Sequence, residues 1–411
     1  MKFLHAADLH IDSPLRGLAN YDGAPVDEIR GATRRAVENL VDAAIAHAVD
    51  FVVVAGDVFD GDWKDYSTGV FWVNQLGRLH DHNIPLIFVA GNHDAASEIS
   101  KRLSLPPNVT LLSSSQPHTL VIADLDVAVI GQSYATRSVT HDLAAQYPIA
   151  DPALFTIGLL HTSLDGRPGH TSYAPTTLDG LRNRGYGYWA LGHVHQREVV
   201  ATDPWIVFPG NVQGRHARET GAKGASLVTV IDSVVTTVEH LELDVVRWVD
   251  CSVDVSQLHS FEAVLDRVSS EIDHAALACT GRLLATRVDL VGTTPAHHEL
   301  WKNLDRLDVE VRSLGASHHA IWIEKVKLST RQPGDVNNEL VDAIIARAAT
   351  FTADSEKLFF LVSIFSDLKS KLPAELKTGE APTPGSGDHI RSSLADAVAL
   401  VTSLLSQVDA A

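Results

Sequence analysis

The sequence has 411 residues, of which 45% are apolar, and its formal net charge is -18 at pH 7. This length and composition predict a globular protein of two or three domains and exclude a disordered chain. The negative charge argues against a protein that coats nucleic acid or membranes through bulk electrostatics, because affinity for phosphate normally comes from Lys and Arg.

The start of the chain and its cysteines bear on the compartment. The opening MKFLHAADLHIDSP carries Asp and His too early for a signal peptide, and no apolar run approaches the ~20 residues of a spanning helix. We therefore expect a cytoplasmic protein with no membrane partner. Cys251 and Cys279 lie far apart and form no CxxC motif, so neither a disulfide framework nor a thiolate zinc site is predicted.

Short apolar, β-branched runs alternate with helical patterns through the first half of the chain. The runs are MKFLHAA, DFVVVAGD, IPLIFVAGN, LDVAVIGQ, LFTIGLLH, GYWALGH and WIVFPGN. Helical periodicity between them, as over residues 29 to 48, predicts an α/β layered fold with a largely buried sheet. The alternating segment SLVTVIDSVVTTVEHLEL predicts a hairpin that closes this domain near residue 245.

The order of elements changes after residue 245. Residues 246 to 330 read as strand, helix (about 256 to 275), strand, helix (about 296 to 307) and strand, which predicts a separate small α/β unit. Residues 331 to 411 are predicted to form a helical tail, interrupted at 377 to 389 by a flexible linker rich in Pro, Gly and Ser. The last helix carries an apolar stripe of Ile390, Leu394, Val398, Val401, Leu405 and Val408.

Side chains able to bind metal follow five of the predicted strands. They are Asp8 and His10, Asp57, Asn92 and His93, His161, and His193 and His195. Because ligands gather beyond the carboxyl ends of strands in open α/β sheets, we expect these side chains to converge. A single Asp after a strand is usually a helix cap and a lone His is more often structural, but five such positions in one order favour a metal site. The pairs His297/His298 and His318/His319 point apart and are predicted to be surface residues.

The segments DLH, GDVFD, GNHD, LLH and GHVH match the motif series of the calcineurin-like metallophosphoesterases, and the sequence resembles that family. Within it, HAADLHIDSPLRGL, LHTSLDG and FPGNVQGRHARETGAKG are most similar to the DNA repair exonuclease branch, which includes SbcD and the YhaO-like proteins. The resemblance implies a layered metallophosphoesterase sandwich over residues 1 to 245, a small α/β cap domain over 246 to 330 and a helical C-terminal tail. It also implies a hydrolase of phosphodiester bonds, foremost a DNA exonuclease or endonuclease in DNA repair.

The resemblance implies two divalent ions, typically Mn²⁺, about 3.5 to 4 Å apart with a hydroxide between them. The implied ligands of the first ion are Asp8, His10 and His195, and those of the second are Asn92, His161 and His193. Asp57 would bridge the two ions. His93 would supply a proton to the leaving alkoxide. Asp60 would orient His93, the alternative being that Asp60 caps the following turn.

Basic residues flank the GHVH motif. They are Arg182, Arg184, Arg215, Arg218 and Lys223. Their positions beside a metal-binding motif predict contacts with the phosphates of a DNA substrate. The alternative at each position is an ordinary surface Arg or Lys.

SbcD-type nucleases work with a large coiled-coil ATPase, so the resemblance implies an SbcC-like or YhaN-like ATPase as a partner. The apolar stripe of the tail would dock on that ATPase, pack on its own domain, or join a second copy in a homodimer. Two other functions stay open. One is a phosphodiesterase for a small nucleotide, since GNHD is shared across the superfamily, and the other is a metal-stabilised scaffold for the ATPase. The intact ligand set and His93 argue against the scaffold.

Overall fold

The computed structural model describes residues 1–13, 25–60, 66–95, 103–164, 173–279, 281–316, 320–333, 343, 345–350, 362 and 389–398. These residues form two compact units. The first takes in the described residues up to Val249 together with those of Cys279–Ala285, and the second takes in Asp250–Ala278 and the described residues from Thr286 onward. Within the described ranges, no helix is long and apolar enough to cross a membrane.

The first unit alternates strands with helices along the chain, as the sequence predicts. Its strands are β1 (Lys2–Ala6), β2 (Phe51–Ala55), β3 (Leu86–Val89), β4 (Val109–Leu111), β5 (His118–Ile122), β6 (Val127–Gly131), β7 (Phe155–His161), β8 (Tyr188–Gly192), β9 (Glu198–Thr202), β10 (Trp205–Phe208), β11 (Gly224–Ile231) and β12 (Val234–Glu242). Its helices are α1 (Val26–Arg30), α2 (Ala32–Ala46), α3 (Tyr66–Asp81), α4 (Asn92–Ala95) and α5 (Leu178–Arg182).

These strands form two six-stranded sheets, with the orders β12-β11-β1-β2-β3-β4 and β5-β6-β7-β8-β10-β9. The strands β1 to β4 run parallel to one another in the first sheet, and β6, β7, β8 and β10 run parallel to one another in the second. The edge strands β5 and β9 of the second sheet pair antiparallel with β6 and β10. The strands β11 and β12 are the predicted hairpin, and they extend the first sheet in antiparallel pairing. The predicted α/β class is confirmed.

The layers follow from strands that are buried on both faces. In β1, Phe3 belongs to the core between the two sheets and Leu4 to the core that also contains residues of α2 and α3. In β2, Val53 and Val54 divide between the same two cores. A third core, which includes Trp189, covers the outer side of the second sheet. Two sheets packed face to face with further layers outside them form the layered α/β sandwich that the sequence predicts.

The second unit is built on a three-stranded sheet in the order β13-β14-β15. Its elements are β13 (Val246–Asp254), α6 (Phe261–Ala278), β14 (Leu283–Thr293), α7 (His297–Lys302), α8 (Leu304–Ala316) and β15 (Ile321–Arg331), with β13 and β14 beginning in residues of the first unit. The element types match the predicted order. The helix expected over about 296 to 307 is wrong in detail, because it divides near Asn303 and continues to Ala316.

One surface prediction in this unit is also wrong. His297 is 8% exposed, and its Nδ1 lies 2.9 Å from Thr330 Oγ1. A hydrogen-bond partner within the fold offsets the cost of burying a polar ring. His318 and His319 lie outside the described residues.

Most of the predicted tail lies outside the described residues. Residues 345–350 and 389–398 are helical, whereas residues 377–388 of the predicted linker are not described. In the second helical stretch Ile390 is buried, Leu394 and Val398 are half-buried, and the residues from Arg391 to Ser393 are exposed. The described residues of the apolar stripe thus lie on the less exposed face of this helix. The stripe residues Val401, Leu405 and Val408 are not described.

Candidate metal centre

The candidate metal centre lies in the first unit, at the carboxyl ends of parallel strands. The residues predicted from the motifs follow β1, β2, β3 and β8, and one of them ends β7: Asp8, His10, Asp57, Asn92, His93, His161, His193 and His195. Parallel strands present their carboxyl ends at one edge of a sheet, so residues far apart in sequence meet there.

The turns after these strands hold four of these residues with positive φ. Asp8, His10 and Asp57 have φ of 51°, 42° and 53°, and His193 has 101°. Residues other than Gly rarely adopt this backbone conformation, which costs about 1–3 kcal/mol for each of them. The surroundings must therefore stabilise these turns. Two backbone hydrogen bonds of 3.0 Å do so, from Asp8 N to Gly56 O and from His10 N to Asp57 O. Strain of this kind concentrates at functional sites.

The first group of side chains combines two imidazoles with a carboxylate. The Nε2 atoms of His10 and His195 are 3.2 Å apart, and they lie 4.0 and 3.9 Å from Asp8 Oδ1. Asp57 Oδ2 is 3.9 Å from His10 Nε2. These four donor atoms face a common point at which one cation could be bound.

The second group adjoins the first through Asp57. Asp57 Oδ2 is also 3.5 Å from Nε2 of His161, and that nitrogen is 2.9 Å from Asn92 Oδ1. The ring of His193 stands beside that of His161, with centroids 5.2 Å apart. The backbone N of His193 donates to Asp8 Oδ2 at 2.9 Å, which ties the two groups together. A single oxygen of Asp57 therefore lies between both groups.

Three of the four histidines in these groups, His10, His161 and His195, share one arrangement. In each, Nε2 faces the centre and Nδ1 lies against an acceptor outside it. The outer acceptors are Asp60 Oδ1 for His10 at 3.4 Å, Ala55 O for His161 at 2.8 Å and Glu219 Oε1 for His195 at 2.7 Å. A carbonyl or carboxylate oxygen only accepts, so the proton resides on Nδ1 and the Nε2 lone pair is available to a metal.

Burial gives these groups the charges that suit metal ligands. It raises the pKa of Asp57 to about 6 and holds that of Asp8 well above its usual value, with the nearby charge of Asp57 adding to the effect on Asp8. It also lowers the pKa of His161 to about 3 and that of His10 well below its usual value. The imidazoles of His10 and His161 are thus neutral near pH 7, as metal ligands must be, and burial disfavours the charged form of both carboxylates despite the nearby Arg215 and His93.

The donor set fits divalent metal ions. Asp8 Oδ1 is buried and accepts no hydrogen bond within the described part of the chain. Carboxylate, imidazole and amide donors together suit Zn²⁺, Mn²⁺ and similar ions. The possible ligand atoms lie within 4.8 Å of one another in three sets: Asp8, His10 and His195; Asp8, Asp57 and His161; and His10, Asp60 and His93.

Asp60 stands beside the centre and contacts several of its polar side chains. Its Oδ1 is 2.9 Å from Nδ1 of His93, and its Oδ2 accepts a hydrogen bond of 2.7 Å from Ser13. Burial opposes its ionisation, but hydrogen bonds from His10 and His93 hold the pKa of Asp60 far below its usual value. Burial also acts against the charged form of His93, yet the bond to Asp60 raises the pKa of His93 above its usual value. The Nε2 of His93 is therefore a good proton donor.

The predicted basic residues occupy different environments. Arg215 is 17% exposed, with NH1 3.7 Å from Asp60 Oδ1 and NH2 3.4 Å from Glu219 Oε1. Arg218 is exposed, and Arg182 is exposed beside Asp179 on α5.

Two of the basic side chains are held by backbone carbonyls. Arg184 donates 2.7 Å hydrogen bonds to the carbonyls of Tyr147 and Ala145, and Lys223 is buried with Nζ 3.1 Å from His195 O. The contacts of Arg184 hold its loop against residues 145 to 147, and that of Lys223 holds its loop against His195, so both cations already have partners within the fold.

Three side chains at the centre were missed in the sequence. Glu219 contacts His195, and Tyr134 donates its hydroxyl to His161 O at 2.9 Å. Asp94 accepts from the backbone N of Gly91, Val58 and Phe59, and burial raises its pKa to about 7. Asp94 completes GNHD and Glu219 lies in RHARETGAKG. Both segments belong to the motifs that carry the family resemblance, so they point to Asp94 and Glu219 without giving either residue a role. Nothing in the sequence singles out Tyr134.

The fold and the site together define a calcineurin-like metallophosphoesterase. Residues 1–197 match the family described as calcineurin-like phosphoesterase, and residues 248–331 match the middle domain of metallophosphoesterase YhaO. The uncharacterized metallophosphoesterase YhaO of Bacillus subtilis (strain 168) is 34% identical over 299 residues, which are 72% of each chain. The chain belongs to the YhaO family of calcineurin-like metallophosphoesterases.

More distant relatives and one solved structure extend the comparison. The DNA double-strand break repair protein Mre11 of Sulfolobus acidocaldarius is 22% identical over 316 residues, or 73% of this chain and 77% of that protein. A dimetal phosphatase from Danio rerio matches 56% of this chain and 93% of its own, at 13% identity and a TM-score of 0.36.

Proposed function

We propose that the protein is a two-metal phosphodiesterase that cleaves DNA. The observation that carries the proposal is the set of inward-facing Nε2 atoms of His10, His161 and His195 around the buried carboxylates of Asp8 and Asp57. One ion would be held by Asp8, His10 and His195, the other by Asn92, His161 and His193, with Asp57 shared. Divalent ions supply Lewis acidity to the phosphate and lower the pKa of water, and Mn²⁺ is the ion we propose.

The side chains of the protein would perform the proton transfer and the positioning. His93 would give the proton of its Nε2 to the departing oxygen, because its Nδ1 is held by Asp60. Asp60 would keep His93 in the required tautomer and charge state. Arg215 and the exposed Arg218 are the basic residues best placed to meet a phosphate, with the exposed Arg182 further out.

DNA is supported as the substrate by the relatives rather than by the charge of the chain. The Mre11 match is named a DNA double-strand break repair protein. The net charge of -18 means that phosphate attraction would come from the ions and a few local arginines. Affinity for long DNA is therefore expected to be weak without metal.

The test is cleavage by the purified full chain with added Mn²⁺. Duplex DNA, single-stranded DNA and a cyclic dinucleotide are incubated in parallel, each with and without EDTA. Cleavage of either DNA that EDTA abolishes supports the proposal. Hydrolysis of the cyclic dinucleotide alone would replace DNA with a small nucleotide, and two bound ions without hydrolysis of any substrate would indicate a scaffold.

The proposal extends to organisation and partners. We assign the nuclease to residues 1 to 245, a capping role to 246 to 330, and docking of an SbcC-like or YhaN-like coiled-coil ATPase to the tail from 331 to 411, in a cytoplasmic protein. Burial of Ile390 within this chain supports a stripe that also packs locally. Truncation after residue 378 should abolish co-purification with the ATPase. A halved mass in solution would instead assign the tail to a homodimer, and a lowered melting temperature would assign it to the core.

A further inference from the structure

Glu219 is a buried carboxylate in the segment between β10 and β11, beside the metal centre. Its two oxygens are used in different ways. Oε1 is 2.7 Å from His195 Nδ1. Oε2 accepts hydrogen bonds of 2.8 Å from Asn211 Nδ2 and from the backbone N of Arg215. The loop contacts therefore fix the carboxylate and aim its other oxygen at the imidazole.

The contact with His195 determines which ring nitrogen carries the proton. An ionised carboxylate has no hydrogen to donate, so the bond requires a proton on Nδ1 of His195. Arg215 Nη2 also approaches this nitrogen, at 3.3 Å, and it lies 3.4 Å from the same Oε1, so the 2.7 Å contact between Glu219 and His195 is the stronger one. The opposite nitrogen, Nε2, then faces His10 Nε2 at 3.2 Å and Asp8 Oδ1 at 3.9 Å. In the other tautomer the Nδ1 lone pair would face the carboxylate and the Nε2 hydrogen would occupy the position of a metal.

We propose that Glu219 is the positioning residue of His195, which sets its tautomer and ring orientation for metal binding. This inference rests on the proposed two-metal function. The competing role is purely structural, in which Glu219 anchors its loop through Oε2 and the approach to His195 has no consequence. The two roles differ in whether metal affinity changes when the fold is retained.

The substitution that separates them is Glu219→Gln. A glutamine amide cannot satisfy both sides. With its oxygen on His195, the NH₂ group meets the donors of Asn211 and Arg215. With its NH₂ on His195, the amide donates to Nδ1 and favours the tautomer that closes Nε2 to a metal. Glu219→Asp keeps the acceptor chemistry with a shorter reach and tests rescue.

The experiment measures Mn²⁺ binding to the full chain by calorimetry and the melting temperature in chelator. We expect Glu219→Gln to lower the affinity for one of the two bound ions by about 10–100-fold, which is the usual effect of losing the hydrogen-bond partner of a metal ligand. Glu219→Asp should recover part of this affinity. Glu239→Gln, at an exposed position of β12, is the matched control. Two ions bound at wild-type affinity in Glu219→Gln would overturn the inference.

The wild-type protein separates this inference from the proposed function. Failure of wild type to bind two ions would contradict the two-metal function itself, whereas two ions in wild type and unchanged affinity in the variant would contradict only the role of Glu219. If Glu219→Gln melts at a much lower temperature in chelator, Glu219→Asp provides the reading. Glu219→Ala is measured beside it. If Glu219→Asp and Glu219→Ala both fold and both bind Mn²⁺ with wild-type affinity, the role of Glu219 is purely structural.

Discussion

The Nδ1 atom of His93 lies 2.9 Å from Oδ1 of Asp60, and the same carboxylate approaches His10 Nδ1 at 3.4 Å. The carboxylate thus contacts a predicted metal ligand and the predicted proton donor at once. His10 Nε2 faces Asp8 and Asp57, and the ring of His93 packs edge to face on that of His10, with centroids 5.0 Å apart. We therefore propose different roles for the two imidazoles, metal binding for His10 and proton donation for His93.

Replacement of His93 with Ala should retain metal and lose activity. Without the imidazole, the leaving oxygen receives no proton from the protein, so kcat should fall by on the order of 10²-fold or more. Elemental analysis and steady-state kinetics with Mn²⁺ measure the two properties, with His80→Ala on the exposed part of α3 as control. Loss of metal in the His93 variant, or an unchanged rate, would refute this role.

Replacement of Asp57 with Ala should remove most of the bound metal. Asp57 Oδ2 lies 3.9 Å from His10 Nε2 and 3.5 Å from His161 Nε2, so one carboxylate serves both groups. Metal content per chain, measured after gel filtration, should drop from two ions to less than one. Asp124→Ala, at an exposed turn, is the control. Two tightly held ions in the Asp57 variant would exclude the bridging assignment.

The candidate metal ligands were easier to predict from the sequence than the residues that hold them in place. Asp8, Asp57 and His161 could be found because buried strands end at them and strand polarity brings such ends together. Glu219 could not be assigned, because its contact with His195 depends on how the loop from 209 to 223 folds back, which has no periodic pattern. The hydrogen bonds of Arg184 were not predictable for a similar reason, since its partners are backbone carbonyls that any sequence offers.

The fold shows the same division. The strand β2 is apolar throughout and β1 carries an apolar run between Lys2 and His5, so their composition identified them as buried strands. Features that depend on contacts between distant side chains were less predictable from the sequence. The burial of His297 depends on Thr330, a residue 33 positions away, and no local pattern shows such a pair.

Replacement of Gly91 with Ala should disrupt metal binding through Asp57. A Cβ at Gly91 would lie 2.3 Å from Asp57 Oδ1 and 2.8 Å from Asp57 N, so the carboxylate must move. Affinity for Mn²⁺, measured by calorimetry, should fall by at least about 10-fold, as for other losses of ligand placement. In Gly77→Ala a Cβ would meet nothing within 4 Å, and this helical control should gain about 1 kcal/mol in stability. Equal metal affinity in the two variants would contradict the steric argument.

Replacement of His5 with Gln should flatten the acid dependence of stability. His5 is fully buried, with Nδ1 3.0 Å from Tyr188 Oη and Nε2 3.1 Å from Leu191 O, and burial lowers its pKa from 6.5 to about 3. Between those values the unfolded chain binds a proton that the folded chain does not. The free energy of unfolding therefore falls as the pH drops below 6.5, by about 2 kcal/mol from this group between pH 7.5 and pH 5.

The measurement for His5 is urea denaturation at pH 7.5 and pH 5 in chelator, so that metal release does not contribute. The Gln variant is expected to be less stable than wild type at pH 7.5, because its amide cannot reproduce both ring contacts, and to lose about 2 kcal/mol less than wild type on acidification. His80→Gln, at an exposed position of α3, is the matched control. Since the ligands of the metal centre titrate equally in wild type and variant, their contribution cancels in the difference. An identical loss in both proteins would show that His5 is protonated at little cost in the folded state.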